Sequence, residues 1–328
     1  MQMVNGSNTC PLCGGGKSFH FMTAPDRFHW RTHLYELKRC DSCTCVWLVG
    51  PPTPQDMPVH YDDDYHRTIA AGGEGSPEKR WRGPRETILK YKNSGSILDI
   101  GCSSGGFLGT MNNGYWRLHG IEIERATAER AINATGAEVF VGDVLDAPFQ
   151  PESFDVITCF DLLEHVYQPR EFLTKAMEWL KPGGILYAAL PNIDSWEARL
   201  FGSYWYGLEL PRHLFHFSPK SLRFMMSSLG FGEIEVVTPE TSYLERSASY
   251  ILSAVFQRIG ITPLPMAKEQ PRSLPSRAIR RALDLLLVEP FGFVASKAGA
   301  GASIQALFTK ANSALPAPEV AVVLGQEL

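Results

Sequence analysis

No apolar stretch in this sequence runs for the ~18 residues needed to cross a bilayer, which argues against a membrane-spanning helix. The N-terminus has no basic region followed by an apolar run, so no secretory leader is expected. Positive charge is not in excess. The 31 lysines and arginines face 35 aspartates and glutamates, and a net charge of −4 gives no reason to expect nucleic acid as the main partner. Cysteine is sparse, seven in 328 residues, and four of the seven form two close pairs. In a chain expected in the cytoplasm, such pairs read as metal ligands before disulfides. What remains is ordinary globular composition, 44% hydrophobic and 20% charged, with room for one good core plus appendages or for two domains.

The pairs are Cys10-Pro11-Leu12-Cys13 and Cys40-Asp41-Ser42-Cys43. Each C-x-x-C is a knuckle whose thiolates occupy adjacent vertices of a tetrahedron, and two knuckles close a four-sulfur zinc site. The segment between them alternates aromatic and polar residues (Phe19, Phe21, Phe28, Trp30, Tyr35), as strands of a zinc ribbon do. So small a module has almost no core, and bound metal would supply most of its folding free energy, on the order of 10 kcal/mol. Cys45 reads as packing. From Val49 to Ser76 the chain turns rich in proline and acid, a linker or lid with Tyr61 and Tyr65 as aromatic anchors, and Lys79 to Tyr91 is an amphipathic covering helix.

Ser96 to Leu108 reads S-I-L-D-I-G-C-S-S-G-G-F-L: a short apolar run carrying Asp99, a break into Gly101, Gly105 and Gly106, then a helical pattern. Strand, glycine turn and helix start together bring a ligand close to backbone N–H groups. A second apolar run ends in Glu122, an acid placed to accept hydrogen bonds from both ribose hydroxyls of a nucleoside. Further strands are expected at Glu138 to Val141, Phe154 to Phe160, Ile185 to Leu190 and Gly232 to Thr238, with a closing strand at Ser303 to Lys310. Helices are expected at Arg125 to Ala134 and Pro169 to Leu180. Such alternation implies a parallel sheet with its ligand beyond the carboxyl ends of the strands.

The glycine turn, Asp143 after the third strand, the run Phe154 to Phe160 and Leu180-Lys181-Pro182-Gly183-Gly184 jointly resemble the class I S-adenosylmethionine (SAM) methyltransferases over roughly residues 95 to 240. The resemblance implies an α/β fold, a doubly wound seven-stranded Rossmann-like sheet. It also implies a SAM site at Asp99, Gly101, Cys102, Gly105, Glu122, Ile123, Asp143, Val144 and Phe160, with Asp143 reading the adenine amino group. The family's central glycine is Ser103 here, which puts the turn geometry in question. A dinucleotide site is the rival; the third glycine of the dehydrogenase spacing is missing. The opening half, with its thiol pairs, P-P-T-P and H-Y-D-D-D-Y, resembles a bacterial subgroup bearing an N-terminal zinc ribbon, whose members often act in sugar and surface-polysaccharide pathways.

Three readings are open for Asp161-Leu162-Leu163-Glu164-His165. Glu164 and His165 brace the loop; or His165 is the general base, with a pKa near working pH; or Asp161, Glu164 and His165 hold a divalent cation. The last rests on resemblance to ubiquinone-pathway and small-RNA O-methyltransferases, which carry Glu-x-x-Glu-His there. The aromatic stretch Trp196 to Ser218 reads as the substrate loop, with His213 the second choice for base, His216 structural and Arg212 placed to hold an anionic group of the acceptor.

The chain divides into a zinc ribbon (1–50), linker and covering helix (51–94), SAM-binding core (95–242), helical insertion (243–300), closing strand (301–312) and tail (313–328). The insertion has apolar helical runs beside Lys268, Arg272, Arg277, Arg280 and Arg281, which suits peripheral contact with anionic lipid and equally a lid or dimer surface. The expected function is methyl transfer from SAM to an oxygen or carbon of a small-molecule, sugar or lipid-linked glycan acceptor, without nucleic acid. A quinone-precursor phenol is the alternative acceptor, and a binding scaffold docking partners through its ribbon is the alternative of another class.

Overall fold

Ser96 to Ile100 are all buried, as a central strand covered on both faces requires. A computed structural model of the chain describes residues 9–62, 65, 77–258 and 288–311. Three antiparallel strands come first: β1 (Ser18–Pro25), β2 (Leu34–Cys40) and β3 (Val46–Leu48). Helix α1 (Pro77–Leu89) leads into the alternating part: β4 (Gly95–Ile100), α2 (Gly106–Met111), β5 (Trp116–Glu122), α3 (Arg125–Thr135), β6 (Glu138–Val141), β7 (Phe154–Phe160), α4 (Pro169–Trp179) and β8 (Leu180–Pro191). Then follow α5 (Trp196–Phe201), the two-residue β9 (Phe215–His216), α6 (Pro219–Ser228), β10 (Phe231–Val237), α7 (Leu244–Arg258), α8 (Glu289–Lys297) and β11 (Ser303–Lys310).

Seven strands form one sheet in the order β10-β11-β8-β7-β4-β5-β6, with only β11 antiparallel to its neighbours. The chain enters at β4, winds outward to β6, then returns to β7 on the other side. That reversal opens a crevice beyond the carboxyl ends of β4 and β7, the place where doubly wound sheets bind ligands. Helix boundaries follow local chemistry. The Glu124 carboxylate accepts the N–H groups of Ala126 and Thr127 at the start of α3, and a reciprocal Ser218–Ser221 box with Pro219 at the first position starts α6. The run Leu180 to Gly184 forms the start of β8, with Gly183 at φ +70°.

The N-terminal strands depart from the expectation of a module with almost no core. All three residues of β3 are buried, because its free edge is paired antiparallel with β9, Val46 opposite His216 and Trp47 opposite Phe215. Leu37, Cys45, Val46 and Leu48 belong to the same apolar cluster as Leu214, Phe215 and Phe217. Arg39 clamps Asp194 with Nη2 at 2.9 Å from both carboxylate oxygens, and the Tyr167 hydroxyl donates to the Pro52 carbonyl. The basic segment with Lys268, Arg272, Arg277, Arg280 and Arg281 and the tail (313–328) lie outside the described residues. No helix among the described residues is long and apolar enough to cross a membrane.

Candidate functional site

The glycine turn after β4 needs its glycines. Gly101 and Gly105 sit at φ +76° and +81°, and a Cβ on Gly105 would meet Thr135 Cγ2 at 2.9 Å. Ser103, standing where the resemblance places a glycine, also adopts φ +49°, and its N–H donates to Glu122 Oε2 at 3.0 Å. Glu124 N–H donates to Glu122 Oε1 at the same distance. Two backbone donors thus orient the Glu122 carboxylate at the tip of β5 while each oxygen keeps a lone pair for a diol. At the tip of β6, the exposed Asp143 accepts Leu145 N–H on Oδ1 and caps the turn Val144–Asp146. Gly142 N–H bonds the Glu122 carbonyl, so the two acids stand on adjacent strand ends. Ile123 beside them is 73% exposed. These residues fit a nucleoside-bearing cofactor.

Two predicted residues lie beneath that surface. Asp99 is buried and accepts the Thr158 hydroxyl at 2.7 Å, tying β4 to β7; burial raises its pKa to about 7, with the Glu122 charge adding to the rise. Cys102 is buried too, its backbone N–H spent on the Ile121 carbonyl. Phe160, at the end of β7, sits in a ring cluster with Trp81, Phe107 and Tyr187, centroids 4.7, 4.8 and 5.5 Å away. Trp81 brings α1 over the glycine turn: a Cβ on Gly106 would lie 3.1 Å from its indole nitrogen.

Across the crevice, the loop after β7 is stitched to the aromatic loop by backbone. Leu214 and Phe215 N–H groups both donate to the Glu164 carbonyl. This brings His165 and His213 edge to face, centroids 4.6 Å apart. His165 Nδ1 lies 3.1 Å from the Arg212 carbonyl and 3.0 Å from the Tyr61 hydroxyl. A carbonyl only accepts, so Nδ1 carries the proton and Nε2 is left as the basic atom. The same logic applies to His213, whose Nδ1 faces the Gly207 carbonyl at 2.9 Å; its Nε2 then looks toward Glu209 at 3.7 Å and Glu164 at 4.0 Å. Burial lowers both histidine pKa values, and for His213 the neighbouring His165 and His216 add to the fall.

Glu164 is 1% exposed, and neither carboxylate oxygen has a hydrogen-bond partner among the described residues. Burial first, then the Asp161 charge, raises its pKa far above the usual range. Glu164, His165 and His213 offer ligand atoms within 4.8 Å of one another, and Asp161 is not in that group. Asp161 adopts φ +47°, its N–H bonded to the Ala189 carbonyl. The cation set read from the motif is therefore corrected: His213 from the distant loop, and not Asp161, groups with Glu164 and His165.

Spacing missed the residues that complete this network. Tyr65 donates to Glu209 Oε1 at 2.7 Å, and Arg212 Nε bonds the same oxygen at 3.3 Å. Arg212 is fully buried between the rings of Phe28 and Tyr65, its Nη2 3.7 Å from Asp26. It is committed inside the protein, which overturns its expected role on an acceptor. A lone Glu in the apolar run Gly207-Leu208-Glu209-Leu210 was the available signal. His216 is structural, bonding the Leu208 carbonyl.

The four paired cysteines converge. Cys10 and Cys43 Sγ are 3.6 Å apart and Cys13 and Cys40 Sγ 3.5 Å, all four within 4.8 Å of one another. A tetrahedron with ~2.3 Å zinc–sulfur bonds has edges of about 3.8 Å, so the donor set fits one zinc ion. Cys45 points away, its thiol toward the Val46 carbonyl.

Residues 77–236 match the family model described as a methyltransferase domain. A mitochondrial ubiquinone biosynthesis O-methyltransferase of Schizosaccharomyces pombe is 36% identical over 101 residues, 27% of this chain and 35% of that protein. Its counterpart in Idiomarina loihiensis is 31% identical over 112 residues, 30% of this chain and 44% of that one. An uncharacterized 37.1 kDa protein of a Streptomyces fradiae transposon is 34% identical over 107 residues, 30% of this chain and 31% of its own. The matches thus span less than half the length of these relatives. A SAM-dependent methyltransferase of Archaeoglobus fulgidus shares the fold, with a TM-score of 0.50 over 75% of this chain and 100% of that one at 17% identity.

Proposed function

The chain carries a class I SAM-dependent methyltransferase domain, and from that premise we propose that it methylates an oxygen or carbon of a sugar or glycan intermediate, with His165 as the base. Bound SAM supplies an electrophilic methyl carbon. Glu122 and Asp143 would hold its nucleoside, with Trp81 packed over the glycine turn. The observation that carries the base assignment is the Arg212 carbonyl on His165 Nδ1: it fixes the ring and leaves Nε2 to take the acceptor's proton. Burial keeps the imidazole neutral at working pH. His213, 4% exposed, serves less well as the base. Orienting acceptor and donor supplies the larger share of the acceleration, roughly 7–11 kcal/mol for well-positioned reactants.

A second reading is favoured by the unpartnered Glu164 carboxylate. Glu164, His165 and His213 fit a divalent cation, which would polarise the acceptor oxygen. The ubiquinone-pathway relatives favour a phenol as the rival acceptor, and a SAM-fold scaffold docking partners through its ribbon is the rival of another class. A zinc ion at Cys10, Cys13, Cys40 and Cys43 is proposed as structural, and location in the cytoplasm, with peripheral membrane contact through 243–300, belongs to the same proposal.

Calorimetry with SAM comes first; no heat at millimolar cofactor favours the scaffold. A screen of nucleotide sugars and catechols for uptake of labelled methyl then separates the acceptors. His165→Ala should lower turnover about 10²–10⁴-fold with SAM affinity unchanged, and full turnover in that variant removes His165 as the base.

A further inference from the structure

A cleft of about 420 Å³ opens between the loop joining β1 and β2, the turn Gly202–Tyr204 and the last turns of α7. Small-molecule sites span roughly 300–1,000 Å³, so it has room for a ligand. Arg27, Arg31 and Arg258 line it with Trp30, Tyr204 and Gln257. One carboxylate, Asp26, belongs to the wall, but it is fully buried and committed: Oδ1 accepts the N–H groups of Phe28 and His29, Oδ2 lies 2.8 Å from His29 Nδ1, and Arg212 stands 3.7 Å away.

Arg27 has no such balance. Its Nε donates to the Ser203 carbonyl at 2.7 Å, Nη2 reaches the Ser203 hydroxyl at 3.4 Å, and the guanidinium stacks 3.5 Å from the Tyr204 ring centroid. All three partners are neutral, and among the described residues no carboxylate lies within 4.0 Å of it. A half-buried cation held rigid without a counter-ion is unfavourable in the free protein and becomes favourable when an anion arrives. Arg31 is held to His60 Nδ1 and the Val59 carbonyl, with its Nε 4.0 Å from Asp26 Oδ2, and Arg258 stands exposed on α7. Trp30 keeps φ +52°, a conformation bulky side chains rarely adopt, with its ring edge-on to Tyr250. Fixed guanidinium forks suit the paired oxygens of phosphoryl groups.

We propose that this cleft binds the diphosphate of the acceptor, with Arg27 as its principal partner, Arg31 and Arg258 flanking it, and Trp30 and Tyr204 packing against the group the diphosphate carries. This rests on the acceptor being a glycosyl compound, as proposed above. The shared chemistry is an organic diphosphate, nucleotide-linked or lipid-linked.

The test is calorimetry on the full chain, without SAM, using inorganic pyrophosphate, UDP and geranyl diphosphate. Pyrophosphate should bind and weaken with salt. Arg27→Gln should weaken it at least tenfold and Arg258→Gln, on the surface where folding is not at risk, severalfold, with SAM affinity unchanged in both. Tighter binding of UDP assigns a nucleotide-linked acceptor, tighter binding of geranyl diphosphate a lipid-linked one, and equal binding of all three a site that reads the diphosphate alone. No binding of any of the three at millimolar concentration, or equal affinity in wild type and both variants, overturns the proposal. Because the readout contains no SAM, a protein that binds diphosphate but not SAM loses the methyl-transfer reading and keeps this site, and the reverse result does the opposite.

Discussion

Glu122 and Glu164 are carboxylates in opposite circumstances. Glu122 is oriented by two backbone N–H groups at an open strand tip. Hydrogen bonds to a charged acceptor are worth about 1.5–3 kcal/mol, so Glu122→Ala should weaken SAM binding about 10–100-fold by calorimetry, and a change under threefold removes it from the cofactor site. Glu164 is buried with no donor among the described residues. Without a cation its burial keeps it protonated, and the isosteric Glu164→Gln should unfold within about 1 kcal/mol of wild type. If the three-ligand reading holds, manganese raises the melting temperature of wild type and not of the variant; equal responses end that reading. Glu122 was legible because its role follows from position within one strand–turn unit. Glu209 was not, since Tyr65, the hydroxyl that donates to it, reaches it from a loop 144 residues away in sequence.

Strands and helices of the parallel sheet were readable element by element, because buried strands and amphipathic helices print their periods in the chain. Asp155 on β7 shows what periodicity leaves out. It accepts Ser96 N–H at 2.8 Å and Lys181 Nζ at 2.7 Å, joining β4, β7 and the start of β8. Burial raises its pKa, but the Lys181 and Ser96 hydrogen bonds outweigh that and the net shift is downward. A depressed folded pKa gives stability that is present above the unfolded value, ~3.9, and lost as pH falls through the folded one. Asp155→Asn should therefore cost about 1–2 kcal/mol at pH 7 and flatten the acid limb of the stability curve, read by denaturant unfolding from pH 7 to 3. An unchanged acid limb disproves the coupling. Gly105→Ala should cost at least about 1 kcal/mol by the same measurement, from the left-handed backbone and the contact with Thr135. Ser103 departs from the glycine expected there yet keeps its conformation, so the turn survives the substitution. The two-residue β9 carries no periodic signal at all; only the three-dimensional approach of β3 makes it a strand.

At the scale of the molecule, that pairing decides what a metal held by the four cysteines would do. Four cysteines spaced as two knuckles announced a zinc module, but nothing in their spacing said that β3 would pair with the loop between His213 and Phe217. The ribbon shares an apolar cluster with that loop, Leu48 N–H donates to the Leu214 carbonyl, and Arg39 holds Asp194 just after β8. The four-cysteine cluster is thus mechanically continuous with the histidine pair, while Glu122 and Asp143 stand on strands β5 and β6 that make no pairing with the N-terminal strands. Removing the metal should act on one half of the site. A mercurial that titrates the thiols should release one zinc per chain, and Cys13→Ser should mimic the loss. Turnover should fall about 10²-fold, the size expected when a reacting group shifts by about 1 Å, while SAM affinity stays within threefold. Loss of SAM binding in parallel with zinc shows instead that the ribbon supports the whole fold, and unchanged turnover after stoichiometric release shows that the loop keeps its shape without it.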